Sequence, residues 1–198
     1  MLNRLPPLKE TPSQTGGPYV HIGLTPCFAE IEGVYPADPG AEMTTPETVG
    51  DLILVTGRIF DGAGAPVTDA VVEIWQADSN GAYGGENFAG WGRQATDGEG
   101  RFRFVTVKPG RVPGPDGRPM APHLSLWITA RGINIGLHTR LYFGDEEAAN
   151  EEDSVLARIP DVRRRKTLVA ARDDDDGRAV YSLDIRLQGE DETVFFDI

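Results

Sequence analysis

Arg101-Phe102-Arg103-Phe104-Val105-Thr106-Val107 alternates arginine with phenylalanine and closes on three strand-forming residues. Successive side chains of a strand point to opposite faces, so both phenylalanines fall on one face and both arginines on the other. One face is core; the other meets solvent or a partner. Upstream, Leu52–Phe60 and Ala70–Ala77 are rich in Val, Ile and aromatics and close on Asp-Gly or Asp-Ser-Asn-Gly turns. Downstream, His123–Ala130, Leu137–Phe143, Thr167–Ala171, Ala179–Leu187 and Thr193–Asp197 read as further strands separated by turn chemistry. Short strands at this spacing predict a mainly β fold, an antiparallel two-sheet β-sandwich.

Asp145–Ile159 predicts one short peripheral helix, with acids near its start and Pro160 beyond its end. The first fifty residues are rich in Pro, Gly and Thr and hold no sustained period, which predicts an irregular N-terminal arm over 1–50 before a β-sandwich core over 51–198. A length of 198 residues suits one domain. Asp173–Asp176 before Gly177 reads as a hairpin turn rather than a cation site, and Arg163–Lys166 as a solvated or salt-bridged face.

Thirty-one acids against 19 bases give a net charge of −12, which repels a polyanion and makes nucleic acid a poor partner. No segment approaches the roughly 18 apolar residues of a membrane span, and no apolar stretch of a secretion signal follows the start, so a cytoplasmic location is expected. The lone Cys27 excludes an internal disulfide framework and reads as a small buried apolar residue. No Gly-x-Ser-x-Gly turn is present, Gly81–Gly85 opens no helical pattern for phosphate, and His21, His123 and His138 lack the paired spacing of a zinc site.

The specific signals are Trp75-Gln76-Ala77-Asp78-Ser79-Asn80-Gly81-Ala82-Tyr83, Gly92-Arg93-Gln94-Ala95-Thr96-Asp97, Thr106-Val107-Lys108-Pro109-Gly110 and Pro122-His123. With Thr11–Tyr19 at the start and Glu192–Asp197 at the end, nearly the whole chain resembles the intradiol ring-cleavage dioxygenases. That resemblance implies a non-heme Fe(III) held by two tyrosinates and two histidines, a set whose hard phenolate oxygens suit a ferric ion. The four positions here are Tyr83, Val112, His123 and Ser125: two matches, one valine without a donor, and one serine in place of imidazole.

The resemblance therefore implies no metal ligand and no catalytic residue in this chain, which becomes the iron-free member of a hetero-oligomer. The resemblance further implies that a homologous iron-bearing beta subunit holds the ferric ion. On the same grounds 3,4-dihydroxybenzoate (protocatechuate) and dioxygen meet at the boundary between the two chains, giving 3-carboxy-cis,cis-muconate in aromatic degradation. This chain's share is a pocket wall built from Thr15, Gly17, Pro18, Tyr19 and Arg131. Gly and Pro suit a tight backbone path near a ligand, Thr15 and Tyr19 offer hydroxyls, and Arg131 interrupts the apolar run Leu124–Ile135. An ordinary N-terminal turn and a salt bridge at Arg131 are the plainer readings of the same residues. His138 reads as structural. The competing whole-protein reading is a non-catalytic, transthyretin-like binding or assembly module, and a third is a self-sufficient dioxygenase with a rearranged iron shell.

Overall fold

A computed structural model describes residues 15–197. Nine strands form the body: β1 Leu52–Phe60, β2 Ala70–Trp75, β3 Trp91–Ala95, β4 Arg101–Val107, β5 His123–Ala130, β6 Leu137–Phe143, β7 Val169–Asp175, β8 Arg178–Ser182 and β9 Ile185–Arg186. Among the described residues three short α-helices accompany them, α1 Tyr19–Leu24, α2 Glu147–Glu152 and α3 Val162–Lys166, with one 3-10 turn at Leu156–Arg158. The fold is mainly β, as the alternation predicts. Phe102 and Phe104 are buried while Arg101 and Arg103 are exposed.

Hydrogen bonding joins the strands into one path, β3-β2-β5-β6-β7-β8-β1-β4, with β9 beside β1. The expected separation into two sheets is bridged by β7. Its first residues, Val169 and Ala170, pair in parallel with β6, and Ala171–Asp175 pair antiparallel with β8. Pairing is also parallel between β1 and β8 and between β1 and β9, so the sheet is mixed rather than purely antiparallel. The two halves nevertheless face one core, in which Ile53, Val55 and Phe104 from one half meet Val72, Ile74, Leu126 and Leu141 from the other. Each such large side chain contributes on the order of 1.5–3 kcal/mol on burial.

Several local expectations change: the expected strand Ala179–Leu187 is split into β8 and β9, Thr167–Ala171 shifts to β7 at Val169–Asp175, and the arm expected to be irregular holds α1. β3 was not anticipated, because Gly92, Arg93 and Gln94 dilute its strand propensity; it forms because β2 offers it a ladder from Val71–Ala95 to Trp75–Trp91. The predicted helix over Asp145–Ile159 is cut to α2 at Asp153, whose buried carboxylate accepts the backbone N–H groups of Val155 and Leu156 and so competes with helical pairing. Thr193–Asp197 contributes a single bridge, Phe196 to His138, instead of a strand. The expected hairpin turn is present but shorter: Asp173–Asp175 belong to β7 and pair with β8, and the chain reverses at Asp176, φ 50°, and Gly177, φ 79°, the left-handed pair that such a tight turn requires. The basic run forms α3, where Arg163 pairs with Asp161 and Arg164 with Glu192.

The arm is tied to β3 at Leu24, Gly40 and Ala41. Arg93 donates to the Leu24 carbonyl at 3.0 Å and from Nη2 to Glu73 at 2.9 Å, and its backbone N–H donates to the Gly40 carbonyl. Met43 is buried in the main core. Cys27 is half-buried rather than buried, with its backbone N–H donating to Asp38 at 2.8 Å. No helix among the described residues is long and apolar enough to cross a membrane.

Candidate functional site

The Trp75–Tyr83 motif is built around Gln76, which is buried, donates to the Ala77 and Val107 carbonyls, and accepts from Thr106 at 2.8 Å. This ties the end of β2 to β4. Beyond it Asp78 folds a turn by accepting the N–H groups of Asn80 and Ala82, and its carbonyl accepts Gly110 N–H at 2.8 Å. Gly81, at φ 81°, would place a Cβ 2.2 Å from the Arg111 carbonyl oxygen. Glycine is required there, and the close approach joins the loop before Tyr83 to the Lys108-Pro109-Gly110 turn before Val112.

The four ligand-equivalent positions do not form a metal shell. Tyr83 is 50% exposed and stacks on Trp75, with ring centroids 5.9 Å apart and planes 8° from parallel. Val112 is buried in an apolar cluster with Ala77, Met120 and Val155. His123 is 7% exposed, and its Nδ1 lies 2.8 Å from the Ala121 carbonyl, which can only accept and so fixes the Nδ1–H tautomer. Burial, with the Arg140 cation adding to it, holds the imidazole down to about 4, and it is neutral at ordinary pH. Ser125 is half-buried and registers opposite Arg140. Among the described residues no group of three or more His, Cys, Asp or Glu side chains is placed to hold a metal. Ferric iron does not fit these residues: Val112 has no donor atom, and Tyr83 turns onto Trp75.

Of the expected pocket-wall positions, Thr15 is bonded to Gly17 and to the residue that follows Arg131. The hydroxyl of Thr15 accepts Gly17 N–H at 3.2 Å and Gly132 N–H at 2.9 Å. This clasp holds the turn Gly17–Tyr19 beside the β5–β6 connection that carries Arg131. Thr15, Pro18 and Tyr19 are exposed, Gly17 takes φ 55°, and Pro18 starts α1. The Thr15 oxygen is thereby spent on backbone, leaving only its proton to donate outward. Thr11–Gln14 of the same motif lie outside the described residues.

Arg131 does not interrupt a buried run, since β5 ends at Ala130 and the chain turns through Gly132 at φ 85°. Its side chain is 62% exposed and sits 3.5 Å from Asp69. Asp69 escaped sequence reasoning because only the register reveals it: Ala70 pairs with Ala130, which makes residues 69 and 131 neighbours across the ladder. Together with Ile133, Leu137 and Gln188 they line an open groove of about 600 Å³. His138, expected to be structural, packs against Phe196 with centroids 5.8 Å apart.

Comparison with known proteins follows the same lines. The family described as Dioxygenase matches residues 25–189. The chain is similar to the protocatechuate 3,4-dioxygenase alpha chains of Pseudomonas putida, at 50% identity over 96% of this chain and 97% of that one, and of Burkholderia cepacia, at 41% over 96% and 98%. It is also similar to the protocatechuate 3,4-dioxygenase beta chain of Burkholderia cepacia, at 38% over 74% of this chain and 68% of that one. Among solved structures, the dioxygenase domain of a carbohydrate-binding fusion from Streptomyces sp. SirexAA-E superposes with a TM-score of 0.60 at 28% identity, covering 82% of this chain and 96% of that one.

Proposed function

The chain belongs to the intradiol ring-cleavage dioxygenase family, whose cofactor is non-heme ferric iron, and on that premise we propose that it is the alpha subunit of a protocatechuate 3,4-dioxygenase. Its partner is a homologous, iron-bearing beta subunit, a chain type to which this one is also similar. The beta subunit supplies the ferric ion and with it the activation of the catechol toward dioxygen. Arm 1–50 and core 51–198 act as one unit in the cytoplasm, the arm supplying the turn and the core the sheet that carries it.

The chemistry of this chain is positional. Arg131 offers a fixed positive charge and a planar donor fork, the form of cation suited to a carboxylate such as that of 3,4-dihydroxybenzoate. The Thr15 clasp sets the path of Gly17–Tyr19 next to that guanidinium, and the glycine and proline keep side-chain bulk away from the boundary. The single observation that carries the reading is this pairing of opposites: two of four ligand positions lack a suitable donor, while Thr15 of the turn is hydrogen-bonded to Gly132, the residue after Arg131.

Co-expression with a candidate beta chain is the test. A complex that is coloured by tyrosinate-to-iron charge transfer, consumes dioxygen with protocatechuate and carries its iron in the beta chain supports the assignment. A chain that stays partnerless and inert belongs to the non-catalytic module reading. Stoichiometric ferric iron in this chain purified alone overturns the division of labour.

A further inference from the structure

Alternate residues of paired strands share a face, so His123 and Ser125 of β5 lie on the same side of the sheet as Arg140 and Tyr142 of β6, which register opposite Ser125 and His123. This is the face on which the family places its two histidine ligands. Here it already carries a cation. The Arg140 guanidinium donates to the Tyr142 phenol oxygen at 3.2 Å, contacts Met120 Sδ at 3.5 Å, and lies 5.9 Å from the centre of the Phe196 ring. The Tyr142 hydroxyl in turn donates to Asp153 at 3.3 Å, and Asp153, fully buried, also accepts the N–H groups of Ala121, Val155 and Leu156.

Asp153 is therefore linked to Arg140 through one phenol and held by three backbone donors. Met120 also joins Val112 and Val155 in the apolar cluster at the valine position. Beside the lost ligand positions stands a half-buried guanidinium held by the Tyr142 phenol, the Met120 sulfur and the Phe196 ring. We infer that Arg140 is the resident cation of the degenerate site and that it excludes metal ions from this chain in its own right. A multivalent cation on the same face meets like charge at short range, and the one buried carboxylate nearby is already committed. The inference goes beyond the assignment of the chain as an alpha subunit and uses the family only to choose which four positions are compared.

Two experiments on the full-length chain test it. In the first, Val112→Tyr and Ser125→His restore the missing donors, with and without Arg140→Gln, and each variant is equilibrated with ferric citrate, desalted and assayed for iron and for the visible tyrosinate-to-iron band. The expected result is about one iron and a coloured protein only when Arg140 is replaced. Equal iron uptake with Arg140 intact overturns the inference, and so does a folded triple variant that takes up none. The second keeps the native ligand positions and so asks less of folding: Arg140→Ala leaves a guanidinium-sized space. Low millimolar guanidinium chloride is expected to raise the melting temperature of that variant by about 3 °C while urea, its neutral isostere, does not and the native chain shows no gain. Equal response to urea, or no response to guanidinium, refutes a cation seat.

Discussion

Replacing Arg131 by alanine separates the two roles that its surroundings allow. Its ion pair with Asp69 spans 3.5 Å between side chains 62% and 38% exposed. Exposed pairs of this kind contribute about 0–1 kcal/mol, so Arg131→Ala is expected to lower the melting temperature by no more than about 3 °C. A guanidinium that meets a substrate carboxylate in a covered boundary is a different quantity. Hydrogen bonds to charged groups contribute about 1.5–3 kcal/mol, which corresponds to a loss of about 10- to 150-fold in kcat/KM. The assay is steady-state dioxygen consumption by the complex with its beta subunit, run in parallel on 3,4-dihydroxybenzoate and on catechol, which has no carboxylate. The loss is expected on the first substrate and not on the second, with iron content unchanged. Arg131→Lys is expected to fall between, because an ammonium keeps the charge and loses the fork. Asp69→Asn frees the guanidinium and is expected to leave turnover intact. An equal loss on both substrates, or an unchanged kcat/KM on protocatechuate, refutes the carboxylate contact.

Three further outcomes follow from named contacts. His123 titrates in the folded chain at about 4 against an ordinary 6.5, so the unfolded chain binds its proton first and stability, complete above pH 6.5, declines as pH falls toward 4 by about 3 kcal/mol; urea unfolding across that range and an NMR titration of the imidazole check it, and a midpoint near the ordinary value refutes it. Asp153→Asn turns an amide donor toward donors that the carboxylate now accepts, which is expected to cost about 1–3 kcal/mol; an unchanged denaturation midpoint refutes the role of the carboxylate as a hub. Gly57→Ala would set a Cβ 1.9 Å from the Leu183 carbonyl oxygen and 2.8 Å from the Phe102 ring. It is expected to destabilise by about 3 kcal/mol or more, read as a lost folded fraction on expression or a lowered midpoint; native-like stability refutes that packing.

The elements read correctly were those with a strong local signal. β1, β4, β5 and β6 carry β-branched and aromatic residues at period two, and their observed bounds coincide with the expected ones. β3 has no such signal and exists because β2 presents an open edge. The helix expected over Asp145–Ile159 failed at Asp153 because its carboxylate is drawn into the interior, a tertiary contact that local propensity does not contain. At the candidate site, residue identity was enough to show that Val112 offers no donor. It was not enough to show that Tyr83 turns outward onto Trp75 or that the Thr15 hydroxyl is committed to Gly132.

The sequence by itself determined the mainly β character, the turns, the family and the loss of two ligand types, since each rests on residue identity or on spacing along the chain. Only the tertiary structure decided that one strand, β7, joins both halves of the sheet, that Asp69 faces Arg131, and that Arg140 sits on the face of the missing histidine. These depend on strand register, and register is set by which apolar faces pack together across the whole core rather than by any segment alone.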